Sequence, residues 1–192
     1  MKKLIINFFL FFYFLSAISN ADVKPIIDGN IDAKIKIIVF ESLTCNHCAN
    51  FHKNIYPDLK KDFLDQGLAS IEFRSFPLNM AALNASKIAH CKNNGNSDIL
   101  HYLYNNQEEW VKGKTVEDAN NNLKNLIKKS KFELNFEKCI NDKKVEDYIL
   151  EERINGHKEF KIEATPTVII NGEKFENHSN YKKLKKYLEK LI

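Results

Sequence analysis

Residues 35–48 read IKIIVFESLTCNHC: a run of β-branched and apolar residues, then two cysteines spaced three apart. A largely apolar, β-branched run of this kind is expected as a buried strand at the centre of a sheet. The next stretch, LTCNHCANFHKNIYPDLKKDF, places Phe51, Ile55, Leu59 and Phe63 four residues apart. That is the stripe of a helix laid against a core. Thr44 is the expected N-cap, which puts Cys45 in the first turn, and Pro57 is expected to kink the helix. Residues 68–77 (LASIEFRSFP) alternate, with Ile71, Phe73 and Phe76 apolar, and form a second strand ended by Pro77. Strand, helix, strand in this order is a βαβ unit with a parallel pair.

The chain from 79 to 160 then reads almost wholly as helix. NMAALNASKIAHCK is one, stopped by Asn93-Asn94-Gly95; residues 97–109 are a second; Thr115 to Lys129 fits a third, with Thr115 as N-cap and Asp118 in the capping-box position. Residues 132–140 are a short fourth, and Asp142 to Phe160 a long fifth. Strand character returns at TPTVIING, where Asn171-Gly172 is a two-residue hairpin turn leading into EKFEN. An amphipathic helix over Ser179–Ile192 closes the chain. The expected order is β, α, β, a helical block, β, β, α.

The start of the chain speaks to compartment. Lys2 and Lys3 precede the apolar run Leu4–Leu15, and small and polar residues follow to Ala21. Basic, apolar and small-residue regions in that order are a secretory signal peptide, with cleavage expected after Ala21. A retained membrane anchor is the other reading, but the apolar run is short against the roughly 20 residues a span needs. All four cysteines, Cys45, Cys48, Cys91 and Cys139, lie beyond that cut. An even count in an exported chain points to disulfides, and four cysteines allow three pairings. The formal net charge of +4 includes Lys2 and Lys3, and the remaining lysines are interspersed with Glu and Asp. That describes a solvated surface and gives no reason to expect nucleic acid.

A C-x-x-C at a βα junction is a thioredoxin-like redox motif. Residues i and i+3 in a helical turn hold their Cα atoms roughly 5 Å apart, inside the disulfide window. Unpaired N–H groups and the helix dipole at that end favour the Cys45 thiolate, the species that exchanges. Cys48, one turn deeper, can attack a mixed disulfide on Cys45. A protonated His47 would stabilise the thiolate further and make the disulfide more oxidising; its plainer role is an exposed residue at the helix start. Zinc needs four ligands, and neither a second C-x-x-C nor a histidine at ligand spacing completes a set. An inert structural bridge is the third reading, but a disulfide at a helix N-terminus is exposed and labile.

SLTCNHCANFH followed much later by ATPTVIING resembles the DsbA-like thiol:disulfide oxidoreductases of the bacterial envelope. The resemblance implies an α/β thioredoxin fold with an inserted helical domain. Its parts are a signal peptide (1–21), a first thioredoxin portion (22–78), the insertion (79–154) and a second portion (155–192). It implies that Cys45 is the nucleophile and Cys48 the resolving cysteine. Pro166 corresponds to a cis-proline facing the pair, and Thr165 to the residue whose backbone meets an extended substrate. It also implies a structural Cys91–Cys139 disulfide; a monomer with no cofactor or metal is the accompanying expectation. Activity would be oxidation of reduced exported proteins in the periplasm, with reoxidation by a DsbB-like membrane partner. Two departures stand out. Asn46-His47 replaces the family's frequent Pro-His, and Val39 occupies the place of a frequent buried acid. Glu41, two residues on, shares the face of Val39. It is expected either to move protons to and from Cys48 or to be a surface residue at the strand end. Rivals to an oxidase are a reductase or isomerase of the same fold, and a metal- or peptide-binding module without turnover.

Overall fold

The computed structural model describes residues 22–192, so the expected signal peptide lies outside the described residues. The elements are β1 (Ile26–Gly29), β2 (Ile35–Glu41), α1 (Asn46–Asn54), α2 (Tyr56–Leu59, continuing as a π-helical turn over Lys60–Leu64) and β3 (Ala69–Ser75). Then come α3 (Met80–Ala89), α4 (Asp98–Asn105), α5 (Gln107–Trp110), α6 (Val116–Lys129), α7 (Phe136–Ile140) and α8 (Lys143–Phe160). The chain ends with β4 (Thr167–Ile170), β5 (Glu173–Phe175) and α9 (Tyr181–Leu188).

Among the described residues, five strands form one sheet in the order β1-β3-β2-β4-β5. β2 lies at its centre, parallel to β3 with Val39 opposite Phe73, and antiparallel to β4 with Val39 opposite Val168. A strand flanked on both sides and largely covered on both faces needs mostly apolar residues, which IKIIVF provides except at Lys36, whose side chain is exposed. The alternation of β2 sends Ile35, Ile37 and Val39 into the main core, together with Phe51 and Leu59 from α1 and α2 and Leu184 and Leu188 from α9. Phe40 points to the opposite face and joins Phe76, Ile162 and Ile169 in a second cluster. There α8 crosses the sheet so closely that a Cβ on Gly156 would stand 2.5 Å from the Phe40 ring. At the hairpin, Asn171 and Gly172 both have positive φ (49° and 88°), the geometry of the primed turn that matches strand twist.

β1 was not among the expected strands. It has four residues, IIDG, at the sheet edge, where it pairs antiparallel to β3 with Ile26 opposite Phe73. So short a segment carries too little alternation to register as a strand. Thr44 does not cap α1: Cys45 itself is the N-cap residue, with φ −86° and ψ 120°. The Thr44 hydroxyl instead accepts from Asn79 Nδ2 at 3.1 Å. The helix breaks at Ile55, one residue before the segment carrying Pro57. The stretch from 97 to 109 divides at Asn106 into α4 and α5.

Helices α3–α8 stand between β3 and β4 in the chain. The expected division at 154/155 falls inside α8, which runs unbroken to Phe160. Cys91, just after α3, is bonded to Cys139 in α7, 48 residues away, with Cα atoms 5.3 Å apart. In the chain-entropy model a loop of this length stabilises by at most about 4 kcal/mol.

Candidate active site

Helix α1 begins just after the C-terminal end of the central strand β2, so its first residues sit at that end of the sheet. Cys45 is half-buried there, and Cys48 is wholly buried one turn below; both are free thiols. As a thiol, Cys45 donates from Sγ to the Thr165 carbonyl at 3.3 Å. Its pKa falls from an ordinary 9.0 to about 5. Hydrogen bonding from the Cys48 thiol is the largest cause. Partial burial opposes it, and the Thr165 side chain and the backbone N–H groups of Cys48 and His47 add to it. These N–H groups are donors left free at a helix N-terminus. Cys48 is driven the other way, well above an ordinary thiol. Burial is the main cause, followed by its bond to Cys45 and the charges of Glu41 and Cys45.

His47 and Asn46 are exposed, and what reaches Cys45 from His47 is its backbone N–H. The Thr165–Pro166 peptide is cis. His47, Thr165 and Pro166 share the wall of a cavity of about 310 Å³ with Phe51 and His178. The backbone before Cys45 is held from the helical block: Gln107 Nε2 donates to the carbonyls of Leu43 (2.8 Å) and Cys45 (3.1 Å). Nothing in the sequence pattern marked Gln107, because its partners are backbone atoms more than sixty residues away.

Glu41 is 3 % exposed, so it is no surface residue. Its Oε2 lies 2.6 Å from His52 Nε2, and Oε1 is buried without a hydrogen-bond partner. Burial raises its pKa well above the usual carboxylate range. Tyr104 is buried beside it; burial and the charges of Glu41, Cys48 and Cys45 raise the phenol's pKa. His52 stacks on the Tyr104 ring with centroids 4.0 Å apart and reaches His101. Sequence reading passed over His52, yet a signal existed: it is four residues from Cys48, hence on the same helical face, in a buried stripe otherwise apolar.

A family model described as thioredoxin matches residues 21–190. A Rickettsia bellii relative, provisionally named a protein-disulfide oxidoreductase, is 29 % identical over 160 residues, covering 82 % of this chain. The chain spans 61 % of that relative's length. Disulfide bond formation protein D of Bacillus subtilis is 27 % identical over 180 residues, covering 88 % of this chain and 77 % of the relative. The crystal structure of Wolbachia pipientis alpha-DsbA1 superimposes with a TM-score of 0.78 at 28 % identity, covering 87 % of this chain and 90 % of that one.

Proposed function

The chain belongs to the thioredoxin family, and from that premise we propose that it is a DsbA-like thiol:disulfide oxidoreductase that introduces disulfides into exported proteins outside the cytosol. The observation that carries this reading is the asymmetry of the pair. One cysteine is reachable and stabilised as a thiolate; the other is buried directly beneath it beside a carboxyl group. A metal ligand pair or an inert bridge has no use for such a difference between two thiols.

In the oxidised form a client thiolate attacks Cys45 Sγ. A client–Cys45 bond forms, the Cys45–Cys48 bond breaks, and Cys48 leaves as a thiolate that takes a proton from Glu41. A second client thiolate attacks the client sulfur of the mixed disulfide and expels Cys45, the better leaving group because its thiolate is stabilised. The client gains a disulfide, and the pair is left reduced by two electrons. A client segment in extended form lies along Ala164–Thr165–Pro166, with Thr165 offering backbone groups as in strand addition. The reduced pair returns its two electrons to a DsbB-like membrane partner, with Glu41 taking the proton of Cys48. The Cys91–Cys139 bond stands apart from this chemistry as a structural link.

The test is a trap. Cys48→Ala, with Cys45 activated as its mixed disulfide with thionitrobenzoate, is expected to hold a reduced one-cysteine peptide as a lasting disulfide on Cys45, while the unaltered oxidised protein converts a reduced two-cysteine peptide to its disulfide. Cys45→Ser is expected to do neither. Turnover by Cys45→Ser, or a mixed disulfide on Cys91 or Cys139, overturns the assignment.

A further inference from the structure

Glu41 is the first member of a hydrogen-bonded chain that leaves the cysteines and ends on another side of the molecule. Glu41 Oε2 is 2.6 Å from His52 Nε2; His52 Nδ1 is 2.8 Å from His101 Nδ1; His101 Nε2 is 3.3 Å from Asp28 Oδ2. Asp28 also accepts from the Tyr56 hydroxyl at 2.6 Å and from Ser97 Oγ at 2.8 Å. The inner end is sealed. The side chains of His101 and Asp28 are each 19 % exposed and open on a cleft of about 500 Å³ lined also by Lys53, Lys60 and Asp98. We propose that His52 and His101 form a proton relay between Glu41 and this cleft, so that Cys48 exchanges its proton with solvent away from the face that a client covers.

The relay rests on the exchange reading above, in which Cys48 must gain a proton when the disulfide opens and lose it when the disulfide closes. The bonds allow two complete arrangements. In one, Glu41 is neutral and donates to His52 Nε2, His52 Nδ1–H donates to His101 Nδ1, and His101 Nε2–H donates to Asp28. In the other, Glu41 is ionised and accepts from His52 Nε2–H. His52 Nδ1 then accepts from His101 Nδ1–H, and His101, carrying both ring protons, still donates to Asp28. Passing between them moves one proton from Glu41 to His52 and one from His52 to His101. The net result is a single proton transferred, with His52 neutral at both ends. Reversing the two hops returns it.

The surroundings suit this. Two carboxyl groups, Glu41 from β2 and Asp28 from β1, bracket the histidines. The phenols of Tyr104 (α4) and Tyr56 (α2) stack on His52 and His101 at 4.0 and 4.1 Å, and Phe73 of β3 lies against both rings. Burial pushes His52 down to about 3, so it stays neutral as the relay requires. Asp28 is held below its usual range: burial opposes, but the bonds from His101, Tyr56 and Ser97 outweigh it. Satisfying a buried carboxyl would need only His52. The continuation through His101 to a solvent-facing carboxylate is what a purely structural role leaves without purpose.

The experiment mixes the reduced protein with dithiobis-nitrobenzoate and follows thionitrobenzoate release. The first equivalent reports attack by Cys45, the second closure by Cys48. His101→Gln and His101→Ala are expected to leave the first phase within twofold. The second phase is expected to slow at least tenfold near pH 7 with a changed pH profile. Free imidazole, entering the space opened at the cleft, is expected to restore it in His101→Ala. An unchanged second phase in both variants overturns the relay. So does a slowing that keeps the original pH profile and does not respond to imidazole, which marks a positional effect of the side chain. If the unaltered protein releases no second equivalent, the exchange reading itself fails, and the relay with it.

Discussion

Cys45 owes its acidity to groups within one helical turn and one loop: the Cys48 thiol, Thr165, and the N–H groups of His47 and Cys48. This makes the reduced protein's stability depend on pH with a definite sign. The folded-state pKa of about 5 lies below the ordinary 9.0, so between these values the unfolded chain binds more protons. The contribution is therefore present at high pH, grows as pH rises from about 5 and is lost as pH falls through it. The oxidised protein lacks a titrating Cys45. The stability of the reduced form relative to the oxidised form should climb between pH 5 and 8. Thiolate absorbance should titrate with a midpoint near 5 and vanish in Cys45→Ser; a midpoint near the free-thiol value of about 8.5 contradicts this. At this scale the sequence was informative wherever function follows from local spacing. Cys45 and Cys48 are legible because the first helical turn sets their geometry. Glu41 was half legible: strand alternation gave its face but not its burial. His101, Asp28 and Gln107 were invisible, since each meets the site only through the tertiary fold.

Among the elements, α8 carries the other buried acid. Glu152 accepts from the Ser75 N–H at 2.9 Å and from the Tyr148 hydroxyl at 2.9 Å, tying the helical block to the end of β3. Burial raises its pKa to about 7 from an ordinary 4.5, against the pull of those two bonds. Here the folded protein binds the proton more tightly, so stability falls as pH rises from about 4.5 through 7, and the penalty is complete above that. Two to three pKa units correspond to on the order of 3 kcal/mol. Glu152→Gln keeps an acceptor for Ser75 and cannot ionise. Denaturant unfolding of the oxidised protein should find it close to the original near pH 5 and more stable by 1–3 kcal/mol at pH 8, an order-of-magnitude expectation from the same conversion. A variant less stable than the original at pH 8 would show that the carboxylate's bonds outweigh its burial. The sequence placed α8 well, because Asp142 caps it and a helical pattern runs to Phe160. It could not reveal that Gly156 lies against Phe40, a contact between parts of the chain more than a hundred residues apart.

Across the whole molecule, a βαβ unit and a β-hairpin share one sheet, and the helical block enters between them to brace the active-site loop through Gln107. The central strand, the parallel pair, the Asn171-Gly172 turn and the capping box of α6 were readable, because each is set by periodicity or by one turn's chemistry. β1 was not, because a four-residue edge strand is defined by its partner β3. The thioredoxin fold places the two cysteines; the surrounding side chains decide which way electrons flow. The central claim is that this site is built to oxidise. Its most direct test is the reduction potential of the Cys45–Cys48 pair at equilibrium with glutathione. A stabilised Cys45 thiolate favours the reduced form and predicts a value near the roughly −120 mV of DsbA-type oxidants, whereas a value near the roughly −270 mV of thioredoxin would contradict the account and make the protein a reductase.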